Sequence, residues 1–154
     1  MWARYLHHLS LHVPIVLIPA VAAVGTYHHF VGGERVLRIV RWAGWGAFLA
    51  TAVAVLSGAL GAPAGFAGEP YAALRHHRDL ALTTLAVAGL AVWAFEKGVR
   101  RDHADWRAFA VGVWWVAALG VVGTAHWSGA TVHADSVPWI EGQKAEGRRL
   151  KEEG

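Results

Sequence analysis

The histidines are the residues of this chain whose type and spacing could do chemistry. They cluster where long apolar stretches begin or end, and the ones of interest are His7, His8, His12, His76, His77 and His126. Neutral imidazole is a common ligand of zinc, copper and haem iron. If the apolar stretches cross a membrane in turn, these imidazoles meet at one membrane face, where several of them could bind a single group.

The composition indicates a membrane protein. Hydrophobic residues make up 55% of the 154 residues, and nine are Trp, which favours membrane interfaces. The net charge is only +3, and the basic residues gather between the apolar stretches. We therefore expect the lipid bilayer as a partner and no nucleic acid.

Two absences from the sequence restrict the chemistry of any bound group. The chain has no Cys, and its one Met is Met1. These facts exclude thiolate metal sites, covalently attached c-type haem and a buried His/Met haem. Any metal or haem must therefore be bound by His, with carboxylate or water as lesser options.

Four apolar stretches predict an all-α fold, an integral membrane bundle of four up-down helices. The expected spans are residues 11–30, 40–60, 74–95 and 108–127, close to the ~20 residues that cross a bilayer. We assign residues 1–140 to this domain and 141–154 to a charged C-terminal tail. No tandem repeat is evident in the sequence.

Small residues recur at about every fourth position of the second stretch, which allows neighbouring helices to approach closely in lipid. They are Gly44, Ala47, Thr51, Ala54 and Gly58. This stripe predicts a packing face.

Basic residues predict the orientation of the chain. They concentrate after the first and third stretches, at Arg35, Arg38, Arg41, Lys97, Arg100, Arg101 and Arg107. We place these two loops in the cytoplasm of a bacterium and the chain in its inner membrane. Both termini and the histidine-rich face are then periplasmic.

The facing histidines favour a b-type haem held by two imidazoles in the core of the bundle. His12 and His77 are the preferred ligand pair because the first and third helices are diagonal in a simple up-down square. His126 is next, followed by His8 and His7. Arg75 and Arg78 are placed to bind the haem propionates. One haem is favoured over two because the imidazoles crowd at one level. The chain would then be an electron-transfer subunit that works with other membrane or periplasmic redox subunits.

Two other functions remain open. The first is a copper or zinc site formed by His12, His77 and His126. The second is an accessory subunit without a cofactor, which packs against a larger membrane complex and whose histidines are interfacial. The sequence contains no nucleophile elbow and no phosphate-binding glycine loop, so a stand-alone enzyme is less favoured than an electron-transfer or accessory subunit.

The motifs resemble those of the domain-of-unknown-function 2231 family of small bacterial four-helix membrane proteins. His7, His12, Pro14 and Ile15 match that family's first signature, Gly58 resembles its glycine on helix two, and His77 its histidine on helix three. At helix four the chain keeps only His126 and Gly129, and Asp135-Ser136 replaces a His-Gly. The resemblance implies a four-helix fold with a histidine-lined site, and there is a broader likeness to b-type transmembrane cytochromes.

Overall fold

The chain forms four long antiparallel helices, as the sequence predicts. The computed structural model describes residues 2–61 and 72–132, and the side chains of residues 6–60 and 75–126. Helix α1 spans Trp2–Val31, α2 Glu34–Gly61, α3 Ala72–Arg100 and α4 Ala104–Val132. Each of the four predicted spans falls inside one helix. The predicted tail, residues 141–154, lies outside the described residues.

All four helices are long and apolar enough to cross a membrane. Their lengths of 28 to 30 residues exceed the ~20 residues that a bilayer core requires. Large apolar side chains cover the outer surface, including Phe30 at 79% and Leu119 at 72% exposure. Such a surface is compatible with lipid as the surrounding medium and with a multi-pass membrane protein.

Short turns close the two helical hairpins. Gly32 and Gly33 have φ angles of 78° and 102°, so the chain leaves α1 through backbone conformations that favour glycine. Between α3 and α4, Asp102 has a φ of 46° and accepts a 3.0 Å bond from Arg107. Both turns force the helices that they join to pack side by side.

The four helices form a square in chain order. Helix α1 packs mainly against α2, and α3 mainly against α4, while the α1–α4 and α2–α3 contacts join the two hairpins. Helices α1 and α3 are therefore diagonal, as predicted. The small-residue stripe of α2 is its packing face: Gly44, Ala47, Thr51 and Ala54 are buried.

The two hairpins repeat each other at an interval of 70 residues. Every buried position that the structure describes on α1 has a buried counterpart 70 residues later on α3. The pairs are Pro14 and Thr84, Ile18 and Ala88, Val21 and Ala91, Ala22 and Val92, and Gly25 and Phe95. The burial pattern therefore has an approximate two-fold symmetry, although almost none of the paired residues are identical.

The two-fold relation also explains how the core is filled. Gly44 on α2 and Trp114 on α4 are symmetry counterparts, and Trp114 is only 1% exposed. A Cβ atom at position 44 would lie 3.3 Å from the Trp114 ring. The smallest residue of one hairpin thus accommodates the largest side chain of the other at the centre of the bundle.

Candidate functional site

Four of the predicted histidines line one pocket at the end of the bundle where α1 and α3 begin. His7, His8, His12 and His77 contribute to its wall, and all four helices supply the remainder. The pocket has a volume of about 330 Å³, at the lower end of the range for small-molecule sites. Its other walls are mostly apolar, with Leu11, Pro14, Ile15, Val55, Ala81 and Val121 among them. We call this space the histidine pocket.

His7 is held against α2 by a defined set of contacts. Its Nδ1 atom lies 2.9 Å from the carbonyl oxygen of Ala54. The same carbonyl accepts a 3.0 Å bond from the Ser57 hydroxyl. Gly58 lies beside the ring, because a Cβ atom there would be 2.8 Å from its Cε1 atom. The imidazole therefore occupies a fixed position that requires glycine at residue 58.

His77 is held against α4 in the same way. Its Nδ1 atom lies 3.1 Å from the carbonyl oxygen of Thr124. In both contacts the histidine and the carbonyl residue are 47 positions apart in the chain. The second contact lies 70 residues after the first, because His77 follows His7, and Thr124 follows Ala54, by 70 positions. The two histidines are thus counterparts in the approximate two-fold symmetry and lie on either side of its axis.

The two carbonyl contacts determine which ring nitrogens can bind a ligand. A carbonyl oxygen only accepts hydrogen bonds, so Nδ1 of both His7 and His77 must carry the proton and donate it. In each neutral ring, the Nε2 atom then keeps its lone pair. Metal-binding histidines in proteins generally show this arrangement, with the second ring nitrogen bonded to a carbonyl or carboxylate.

The separation of the two rings suits ligands on opposite sides of one metal ion. The ring centres of His7 and His77 are 6.3 Å apart, with the ring planes at 87°. A metal bound at an imidazole nitrogen lies about 2 Å from that atom, and hence roughly 3 Å from the ring centre. Two rings on opposite sides of one ion therefore have centres about 6 Å apart, close to the observed distance.

The remaining predicted site residues divide into two groups. His8 and His12 share a face of α1, as their spacing predicts, but both side chains are exposed at the pocket wall. His126, Arg75 and Arg78 are not among the lining residues. His126 and Arg75 are exposed, and Arg78 is paired with Asp79 at 2.9 Å. Of the four histidines in the pocket, His7 and His77 are thus the two that are partly buried.

Helical spacing is the sequence signal that distinguishes His7 from His12. His7, Pro14 and Val21 follow one another at intervals of seven residues, and both Pro14 and Val21 are buried. His12 is followed at the same spacing by Pro19 and Thr26, which are only partly buried. Depth in the apolar stretch favoured His12, but the face of the helix decides which imidazole points into the bundle.

A three-ligand metal site is not formed in the described part of the chain. Among those residues, no group of three or more His, Asp or Glu side chains is arranged to hold a metal ion. This finding gives the copper or zinc alternative with His12, His77 and His126 no support.

No protein-family model, curated protein or solved structure matches the chain. The assignment of a function therefore depends on the geometry of the histidine pocket.

Proposed function

We propose that this chain is a membrane electron-transfer subunit that binds one b-type haem between His7 and His77. The observation that carries the proposal is a pair of neighbouring imidazoles from two diagonal helices with a ring-centre distance of 6.3 Å, each with its Nδ1 atom bonded to a carbonyl. A haem held in this way would take up one electron and pass it on.

The protein's own residues would orient and shield such a group. The carbonyl groups of Ala54 and Thr124 fix the tautomer and the rotation of the two ligand rings. The apolar wall, including Leu11 and Val121, excludes water and lowers the local polarity. Burial and hydrogen bonding to the ligands are the features by which a protein sets a haem potential.

One haem accords better with the histidine pocket than two. His8 and His12 both belong to α1, so they cannot flank a flat group from two opposite helices. His7 and His77 are the pair of diagonal histidines whose rings are in contact distance of each other. We therefore propose a single site in which these two residues would hold the haem.

The distribution of basic residues supports an orientation in the bacterial inner membrane with both termini in the periplasm. The two short turns, near Arg35 and Arg101, would face the cytoplasm. The histidine pocket lies at the opposite end of the bundle and would exchange electrons with periplasmic or membrane-bound redox subunits.

The absorption spectrum of the purified protein tests the proposal. We expect a sharp α band of reduced b-type haem, which disappears in both His7→Ala and His77→Ala. The matched control is His103→Ala, since His103 is exposed in the turn at the far end, and this variant should keep the band.

His12→Ala distinguishes between the two ligand choices. Because His12 is exposed, we expect this variant to retain the band. Loss of the band in His12→Ala with retention in His7→Ala would refute His7 as the ligand. A colourless protein with stoichiometric copper or zinc would indicate the metal-site alternative, and a protein with neither would indicate an accessory subunit.

A further inference from the structure

A second cavity lies at the end of the bundle opposite the histidine pocket, between α2 and α3. It is a groove of about 530 Å³ whose aromatic side includes Trp45, Phe48 and Trp93 and whose cationic side includes Lys97, Arg100 and Arg101. We call it the α2–α3 groove. It opens on the outer surface of the bundle, since Trp93 is 53% and Trp45 37% exposed.

The one carboxylate of the groove is already neutralised from within the protein. Glu96 accepts bonds of 2.7 and 2.8 Å from Arg41 and a 3.1 Å bond from the Trp45 indole. Its side chain is 10% exposed. Glu96 is therefore a structural part of the α2–α3 contact, and the ion pair leaves little negative charge for the other cations.

Three cations remain at the rim of the groove. Lys97 lies with its ammonium group 3.6 Å from the centre of the Trp106 ring and 4.8 Å from that of Trp93. These uncharged rings hold the ammonium in place without cancelling its charge. Arg100 reaches Glu96 only at 3.8 Å, and the Arg101 side chain is exposed. With Arg41 included, four positive charges face one negative charge, which leaves a net charge of +3.

We propose that the α2–α3 groove binds an anionic phospholipid. Its phosphate would be bound by Lys97, Arg100 and Arg101, and its acyl chains would lie along Trp45 and Phe48. The cationic end of the groove matches the phosphate headgroup of a lipid, and the aromatic wall matches its acyl chains. The groove also opens towards the medium outside the helices. Basic sites between membrane helices on the cytoplasmic side favour anionic headgroups in this way. This site is separate from the histidine pocket and does not depend on the proposed haem.

Native mass spectrometry of the detergent-purified protein tests the inference. The protein is mixed with equal amounts of phosphatidylglycerol and phosphatidylcholine, and the lipid that remains bound is identified. We expect phosphatidylglycerol to be retained in preference to phosphatidylcholine. The double variant Arg100→Gln/Arg101→Gln should bind it about thirtyfold more weakly, because each of the two arginines near a lipid surface contributes on the order of 1 kcal/mol.

The matched control is Arg35→Gln/Arg38→Gln. These two arginines are exposed near the same end of the bundle but do not line the groove, and their loss should leave binding unchanged. If both double variants lost the lipid equally, binding would reflect overall charge and the site would be refuted. The single variant Arg101→Gln guards against a folding defect, since this exposed side chain can be replaced without disturbing the Glu96 contact.

Inorganic phosphate distinguishes a headgroup site from a site for free anions. We expect excess phosphate to leave most of the phosphatidylglycerol bound, because the aromatic wall holds the acyl chains. Complete displacement by phosphate alone, or equal retention of both lipids, would overturn the proposal.

Discussion

At the residue scale, the position of each imidazole is decided by the backbone beside it. His7 and His77 are both tied to a carbonyl of the neighbouring helix, whereas His8 and His12 are exposed. Adjacent histidines on one helix turn therefore have different roles. All four line the histidine pocket, but only the rings of His7 and His77 are each oriented by a carbonyl of a neighbouring helix.

Gly58 provides a test of the His7 position. Gly58→Ala would place a Cβ atom 2.8 Å from the His7 Cε1 atom, so the ring must move and its bond to Ala54 must weaken. We expect the variant to lose stability by about 1–3 kcal/mol, as overpacked sites do, and to lose bound haem. Thermal unfolding in detergent and the reduced spectrum measure the two effects.

The control for this substitution is Gly46→Ala on the same helix. A Cβ atom at residue 46 would have no neighbour within 4 Å, and alanine favours helix. This variant should be as stable as the parent or slightly more so. Equal behaviour of the two alanine variants would show that His7 does not depend on glycine at residue 58.

At the element scale, a polar cluster stabilises the contact between α2 and α3, which is the smallest contact between neighbouring helices of the bundle. Arg41, Trp45 and Glu96 link helices α2 and α3 across the α2–α3 groove. Ionisable residues inside membrane helices are expensive unless paired. The bidentate salt bridge between Arg41 and Glu96 meets that requirement and fixes the relative position of the two hairpins.

Glu96→Gln should weaken the contact between α2 and α3. The amide cannot provide the charge that Arg41 binds, so we expect a loss of about 1–3 kcal/mol in unfolding free energy, the usual range for bonds to charged groups. Asp105→Asn is the control, because Asp105 is 92% exposed and its Oδ2 atom is 3.8 Å from Nδ1 of His103. That variant should change stability by less than about 0.5 kcal/mol. Similar losses in both variants, measured by denaturant unfolding in detergent, would contradict a special role for Glu96.

At the scale of the whole molecule, two similar hairpins enclose one site near their symmetry axis. His7 and His77 come from different hairpins, as do Gly44 and Trp114, which pack against each other at the centre. Parallel repeats related by an axis along the membrane normal also occur in transporters. In this protein, the arrangement means that neither hairpin alone contains a complete histidine pair.

Cysteine labelling can test how the whole chain lies in the membrane, because the natural sequence contains no Cys. We expect Glu69→Cys, between α2 and α3, to react with a membrane-impermeant maleimide added outside spheroplasts. Asp105→Cys, at the start of α4, should react only after the membrane is opened, because the proposed orientation places the basic turns in the cytoplasm. Labelling with the opposite pattern would reverse the orientation and place the histidine pocket in the cytoplasm.

The sequence by itself determined the number of helices, their antiparallel order and the end of the bundle at which the histidines gather. Apolar length and the turn-forming Gly32-Gly33 are local properties, so they can be read without coordinates. The absence of Cys likewise excluded thiolate ligands for any metal or haem. The glycine-rich stripe of α2 was predicted correctly as a packing face because its spacing follows the helical period.

Only the tertiary structure decided which side chains face one another. Trp114 and Trp115 are adjacent and identical in type, yet one is 1% and the other 46% exposed. The bonds from His7 and His77 go to backbone carbonyls, which have no signature in the sequence. The 70-residue repeat was also hidden, because symmetric positions need complementary volumes, as with Gly44 and Trp114, rather than identical residues. Contacts between helices depend on how whole helix faces pack. They join residues that are far apart in the chain, so the local sequence pattern does not reveal them.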